Sequence, residues 1–231
     1  MRKALILAAL AAVALADDAQ TSLDALKKEY DAAMQEFYRP AREAQAKGEK
    51  FQLDYSKNPG IAYAAKFAAF AKEHPKTDAA AQALVMVLRM TQDEATRTEA
   101  VQVLLRDHMD SASLKDIVYF LKAPDLKTVA DKSPHAAVRG FALLQLASIQ
   151  ADAGKEKDAL ACLHEVKEKY ADIPWYQGTL GQKADGGIYQ IEHLGIGKVA
   201  PEVEGEDIDG KPMKLSDFHG KVVVLDFWGD W

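Results

Sequence analysis

A single cysteine, Cys162, is all the thiol chemistry held by the 231-residue sequence. One cysteine excludes a disulfide-stapled fold, and it excludes a complete Cys-x-x-Cys pair or a cysteine-built zinc site within these residues. The six histidines are scattered, with no His-Glu-x-x-His and no other paired spacing, so no metal site is expected. Basic clusters are missing as well: 29 Lys and Arg face 35 Asp and Glu, for a net charge of −6. A nucleic-acid partner is therefore disfavoured. With 48% hydrophobic and 28% charged residues, the chain is not of disordered type and is long enough for one or two cored domains.

No apolar run is long enough to span a bilayer. The longest, Ala4 to Val13, follows Arg2-Lys3 and precedes Ala14-Leu15-Ala16, the small-x-small pattern cut by signal peptidase. An N-terminal membrane anchor is the alternative, but acidic Asp17-Asp18 follows at once. The expectation is a signal peptide over 1–16, cleaved after Ala16, and an exported, periplasmic or otherwise extracytoplasmic protein that does not span the membrane. No cysteine follows the cleavage point to take a lipid. Losing Arg2 and Lys3 makes the mature chain two units more acidic.

What is there in quantity is helical periodicity. Leu23, Leu26, Tyr30, Met34 and Phe37 recur at steps of three and four from about Thr21 to Lys47. After Asn58-Pro59-Gly60 a second helix carries Tyr63, Phe67 and Phe70 and stops near His74-Pro75. Thr77 or Asp78 can cap a third, with Leu84, Val87, Leu88 and Met90 on one face. Further periodic stretches cover about 94–107, 113–122, 135–153, 156–170 and 179–194, and no strand-like alternation appears before residue 200. The expected body is an all-α array of antiparallel hairpins over 17–195. Within it, Leu143, Leu146, Ala147, Gly154, Ala159, Leu163 and Val166 fall at tetratricopeptide-like positions, with Gly154 at the turn. A generic helical hairpin accounts for the same residues, since one repeat does not make a solenoid. A solenoid-like array would offer a concave face to a protein partner. Cys162 lies inside this hairpin and is expected to be a buried, inert thiol.

Two motifs near residue 200 mislead. Gly195-Ile196-Gly197-Lys198-Val199-Ala200 has dinucleotide-loop spacing, but a helix precedes it and Pro201 follows, where that loop needs a strand before and a helix after. Asp207, Asp209 and Gly210 resemble part of a calcium loop, yet Gly205 and Ser216 occupy its first and last ligand positions. Asp209-Gly210 is expected instead to be a two-residue hairpin turn between strands Val203–Ile208 and Lys211–Leu215. Ser216 then caps a helical turn ending at Gly220, and Val222 to Trp228 forms a strand buried on both faces.

The last 35 residues carry a resemblance. Gly197-Lys198-x-Ala200-Pro201, Asp209-Gly210-Lys211, Leu215-Ser216-Asp217, Gly220-Lys221 and Asp226-Phe227-Trp228, in that order, resemble the opening of a thioredoxin-like redoxin domain. The similar groups are the exported TlpA/ResA-type thiol–disulfide oxidoreductases and the AhpC/TSA group. The resemblance implies a mainly α body followed, over 196–231, by an incomplete α/β thioredoxin-like fold: a β-hairpin plus one central strand. It implies a role in cell redox homeostasis, with protein disulfides or peroxides as substrates, a thiol reductant as partner and no cofactor.

In that family a Cys-x-x-Cys follows the Phe-Trp-x-x-Trp strand end, its first thiol activated at a helix N-terminus. Trp231 is the residue before that position, so the resemblance implies a chain cut short of its catalytic thiols and inactive as it stands. A selenocysteine codon after Trp231 would explain such an end, as would an ordinary stop or a fragment. By resemblance Asp226 matches the carboxylate that handles the resolving thiol's proton, and Trp228 and Trp231 match the aromatics flanking the site. A polar residue at a strand end is the plain alternative for Asp226. The competing functional expectation is a non-enzymatic helical binding module with a vestigial redoxin tail.

Overall fold

A computed structural model describes the backbone of residues 2–229 and the side chains from Asp17 to Gly229. Met1, Asp230 and Trp231, the last of these an expected site residue, lie outside the described residues. The chain divides into two compact units, a helical one up to Ala184 and a C-terminal one from Asp185. As expected, the architecture is mainly α with a small β portion. No helix among the described residues is long and apolar enough to cross a membrane.

The helical unit is built around two hub helices. Helix α1 (Arg2–Ala46) ends where Gly48 takes a left-handed φ of +69° and the Glu49 amide bonds back to the Ala44 carbonyl. It is followed by α2 (Gly60–Glu73), α3 (Asp78–Met90) and α4 (Glu94–Asp107). Helix α3 is the first hub. Ala79, Ala80, Ala81, Ala83, Leu84, Val85, Val87 and Leu88 bury almost its whole circumference, and it packs against α1, α2 and α4. The Thr77 hydroxyl caps it, accepting from the Ala80 amide at 3.1 Å, and Asp93 caps α4 in the same way. The expected α1 stripe is visible in the packing: Leu23 is fully buried, and the Tyr30 ring lies 5.4 Å from Tyr63 and 6.3 Å from Phe67.

The second hub is α6 (Ala136–Asp152), packed against α5 (Ala123–Lys132) and α7 (Glu156–Lys169). Leu143, Leu146, Ala147, Ala159, Leu163 and Val166 are buried, and Gly154 makes the turn at φ +73°. A 3-10 segment, Ala112–Phe120, contacts both α3 and α6.

Three expectations for the helical unit are corrected here. The 113–122 stretch is 3-10 rather than α, because Leu114, Ile117 and Phe120 recur at steps of three, the period at which 3-10 side chains eclipse. A separate helix, α5, opens with Pro124 in its first turn, where a missing amide is tolerated, and the extended Leu121 and Lys122 divide it from the 3-10 segment. Strand structure also occurs before residue 200. Pro174–Trp175 (β1) pairs antiparallel with Gly178–Thr179 (β2), and the Leu180 amide reaches the Ile173 carbonyl at 2.9 Å where α8 (Leu180–His193) begins.

In the C-terminal unit, β3 (Glu204–Glu206) pairs antiparallel with β4 (Pro212–Lys214), with Gly205 opposite Met213. The connection is a five-residue loop, 207–211, and not a two-residue turn at Asp209-Gly210. The Asp207 carboxylate accepts from the amides of Asp209 and Lys211, both at 2.9 Å, and only Gly210 has positive φ. The 3-10 turn Leu215–Phe218 starts one residue before Ser216, whose amide is taken by Glu202 rather than its hydroxyl acting as a cap. Gly220 follows at φ +80°.

The expected central strand over 222–228 is in no ladder among the described residues, and all seven side chains are exposed. A strand needs a neighbour for its amides and carbonyls, and no described segment lies in register beside 222–228.

Candidate functional site

The residues singled out by the redoxin resemblance lie in the C-terminal unit. Its hairpin is held by short polar contacts. Lys214 pairs with Glu204 at 2.6 Å across the strands, and the Asp217 carboxylate accepts the Lys214 amide at 2.9 Å. Glu202 accepts from the amides of Ser216 and Val203, and its bonding to Ser216 holds its carboxyl below the usual range. These groups are exposed, so they fix local geometry more than they stabilise the fold. Beyond Lys221, Asp226 is exposed and Trp228 is 85% exposed. No hydrogen bond, ion pair or ring contact ties either side chain to another described residue, so the structure does not bring the two into a common site.

Cys162 belongs to the other unit. On α7 its thiol is half-buried and donates to the Gln150 side-chain carbonyl at 3.4 Å. Burial, then the nearby Glu165 carboxylate, push its pKa up, the opposite of what an attacking thiol needs. Among the described residues no group of three or more His, Cys, Asp or Glu side chains could hold a metal ion.

The helical unit carries a feature absent from the sequence-based expectations. The β1–β2 hairpin projects Trp175 and Tyr176 beside the 3-10 segment, and the two rings meet edge to face at 4.8 Å. With Tyr119, half-buried Phe120 and Phe141, and the charged Arg89, Lys115 and Asp116, they line an open groove of about 400 Å³. Arg89 and Asp116 approach to only 3.8 Å, and the Lys183 ammonium sits 5.3 Å from the Trp175 ring centre. Pro174-Trp175-Tyr176-Gln177-Gly178 was the available sequence signal: a proline, two aromatics and a glycine within a possible turn.

Comparison with known proteins gives partial matches. The chain is 50% identical over 40 residues to the thiol-disulfide oxidoreductase ResA of Bacillus thuringiensis subsp. konkukian, covering 17% of this chain and 23% of the relative. It is 41% identical over 56 residues to the ResA of Bacillus anthracis, covering 24% and 28%. It is 40% identical over 38 residues to that of Geobacillus thermodenitrificans, covering 16% and 22%. The chain thus spans about a quarter of the length of the curated relatives it matches. No family model and no solved structure matches it. A stretch of the chain is therefore related to thiol-disulfide oxidoreductases named ResA, which supports a thioredoxin-like redoxin relationship for that stretch.

Proposed function

We propose that this chain is the front portion of an exported thioredoxin-like thiol–disulfide oxidoreductase, with a signal peptide over 1–16, a helical protein-binding portion over 17–195 and the start of the redoxin domain over 196–231. The observation that carries the proposal is the 50% identity over 40 residues to an oxidoreductase named ResA, together with the ordered redoxin motifs between Gly197 and Trp228. In this reading Asp226, Trp228 and Trp231 flank a Cys-x-x-Cys or selenocysteine-x-x-Cys pair that follows Trp231. The pair attacks protein disulfides or peroxides and is reset by a thiol reductant. The 231 residues by themselves are expected to exchange no dithiols, because Cys162 has no partner thiol in the sequence.

The test combines chemistry and sequence. The native protein, isolated from its source, is expected to begin near Asp17, to contain a dithiol or selenol–thiol pair after Trp231, and to reduce insulin disulfides. The 17–231 chain should not. Unrelated codons after Trp231, with no exchange activity in the native protein, would refute the oxidoreductase and favour a helical binding module with a vestigial tail. Exchange by 17–231 that survives Cys162→Ser would refute the placement of the thiols.

A further inference from the structure

We propose that the aromatic groove of the helical unit is a docking site for an acidic peptide segment that presents an aromatic side chain. This deepens the protein-binding part of the reading above and does not depend on the redoxin relationship. Three observations support it.

The first is exposure. Tyr176 is 90% and Tyr119 is 60% exposed on one open groove, where isolated aromatic side chains would gain by covering each other. The volume, about 400 Å³, suits an inserted side chain with its flanking backbone.

The second is backbone conformation. Tyr176 sits at φ +48°, in the left-handed region that a bulky side chain rarely occupies. The hairpin holds it there through the Trp175–Gly178 pairing and through the bonds from Leu180 to Ile173 and Gly181 to Ala171. Glycine or asparagine would fit this turn without strain. A tyrosine held there, with its ring in solvent, has a use outside the fold.

The third is charge. The whole chain is acidic, yet the groove is lined by Arg89 and Lys115 against the single carboxylate of Asp116, and Lys183, on α8, places a further cation against the Trp175 ring. Arg89 reaches Asp116 only at 3.8 Å, and Lys115 has no ion-pair partner among the described residues. Lys115 and the loosely paired Arg89 can both meet carboxylates of a partner, while the aromatic rings take an apolar side chain. A basic segment would meet like charge, and a purely apolar one would leave the cations unused.

A random peptide library displayed on phage and selected against the full chain tests the proposal. Enriched peptides are expected to combine Asp or Glu with Phe, Tyr or Trp. A synthetic copy of the leading peptide should bind at least about tenfold more weakly to Tyr119→Ala/Tyr176→Ala. Arg89→Glu/Lys115→Glu should cost at least about tenfold, and raising salt from about 0.05 M to about 0.5 M should weaken binding to the unaltered chain. Circular dichroism checks that each variant is folded. If the tyrosine variant is not, the charge-reversal pair, which alters exposed side chains, still decides. No enrichment, enrichment of basic peptides, or binding indifferent to the charge reversal would overturn the proposal. Binding of neutral glycans on an array, lost in the tyrosine variant but kept in the charge-reversed one, would overturn it in favour of a saccharide platform. The assay involves no thiol chemistry, so its failure leaves the oxidoreductase reading standing, and the reverse also holds.

Discussion

Replacing Gly181 by alanine should destabilise the helical unit, although glycine-to-alanine changes inside helices ordinarily stabilise. Gly181 lies in the first turn of α8, and a Cβ there would sit 2.9 Å from the Ala171 Cβ, 3.0 Å from its Cα and 3.1 Å from its carbonyl oxygen. Carbon atoms prefer separations of about 3.5–4.0 Å, so the two chains must part by about half an ångström or more. Two of the three opposing atoms are backbone. The Gly181 amide also donates to that same Ala171 carbonyl at 3.0 Å, so separation loosens a hydrogen bond. Overpacking of this kind costs about 1–3 kcal/mol. The helical gain from removing glycine is at most about 1 kcal/mol. Because the contact falls largely on backbone, the overpacking penalty lies in the upper part of its range, about 2–3 kcal/mol. The net loss is then about 1–2 kcal/mol, which for a unit of this size lowers Tm by about 2–8 °C.

Gly186→Ala is the matched control. It lies in the same helix, where an added Cβ meets nothing within 4 Å, so this variant should be stabilised by up to about 1 kcal/mol. Thermal unfolding followed by far-ultraviolet circular dichroism reads both variants. A Gly181→Ala protein as stable as the parent would refute the close approach of α8 to the 171 backbone.

Other outcomes follow from particular residues. Tyr176→Gly should raise stability by about 1 kcal/mol through relief of the left-handed strain while weakening peptide binding in the groove, and thermal unfolding with peptide titration checks both arms. Buried His108 has its pKa lowered from 6.5, mainly by burial, with Asp107, Asp110 and Asp78 pulling the other way. Its contribution to stability is thus fully present above about pH 6.5 and is lost as pH falls through the folded value, so His108→Asn should flatten the decline of Tm with acidification. The amides of 222–228, outside any ladder among the described residues, should exchange with solvent almost as fast as in an unfolded chain, and Val224→Lys should reduce aggregation without moving Tm. Strong exchange protection there would show that the segment pairs in solution.

How much was legible depended on where each stabilising partner lies in the sequence. Helices α3, α6 and α7 show strong three-four periodicity, and Thr77 and Gly154 mark their ends with local chemistry, so their sequence expectations agree with the structure. Helix α5 was hidden because only Leu126 and Val129 are buried among its polar residues, too few to display a period. The β1–β2 hairpin has two residues per strand, and its hydrogen bonds from Leu180 and Gly181 come from the following helix.

At 222–228 the β-branched run expresses a real preference, but preference without a neighbouring strand yields no ladder. At 207–211 the Asp207 carboxylate captured two amides and lengthened a loop that Asp209-Gly210 alone suggested should be tight. The redoxin motifs were legible because they are contiguous and ordered. The groove was not, since its lining is drawn from positions as far apart as Arg89 and Tyr176 and is assembled only by packing.

If both proposals hold, the groove and the thiol pair should make separable contributions to one reaction. Thiol–disulfide exchange depends on thiolate fraction, leaving-group pKa and access, none of which identifies a protein substrate by its sequence. A docking groove carried by the same polypeptide raises the local concentration of a partner's disulfide without touching the chemistry, and a short tether can make that concentration about millimolar. In protein carrying the complete redoxin portion, Arg89→Glu/Lys115→Glu should therefore raise KM for a protein substrate that has an acidic, aromatic segment, leaving kcat nearly unchanged. Turnover of a small disulfide with no such segment should be unaffected. Substitution of the attacking thiol or selenol should remove both activities and leave peptide binding intact. A charge reversal that lowered kcat toward the small disulfide would mean that the groove supports the redox site itself, and the separation of recognition from chemistry would be wrong.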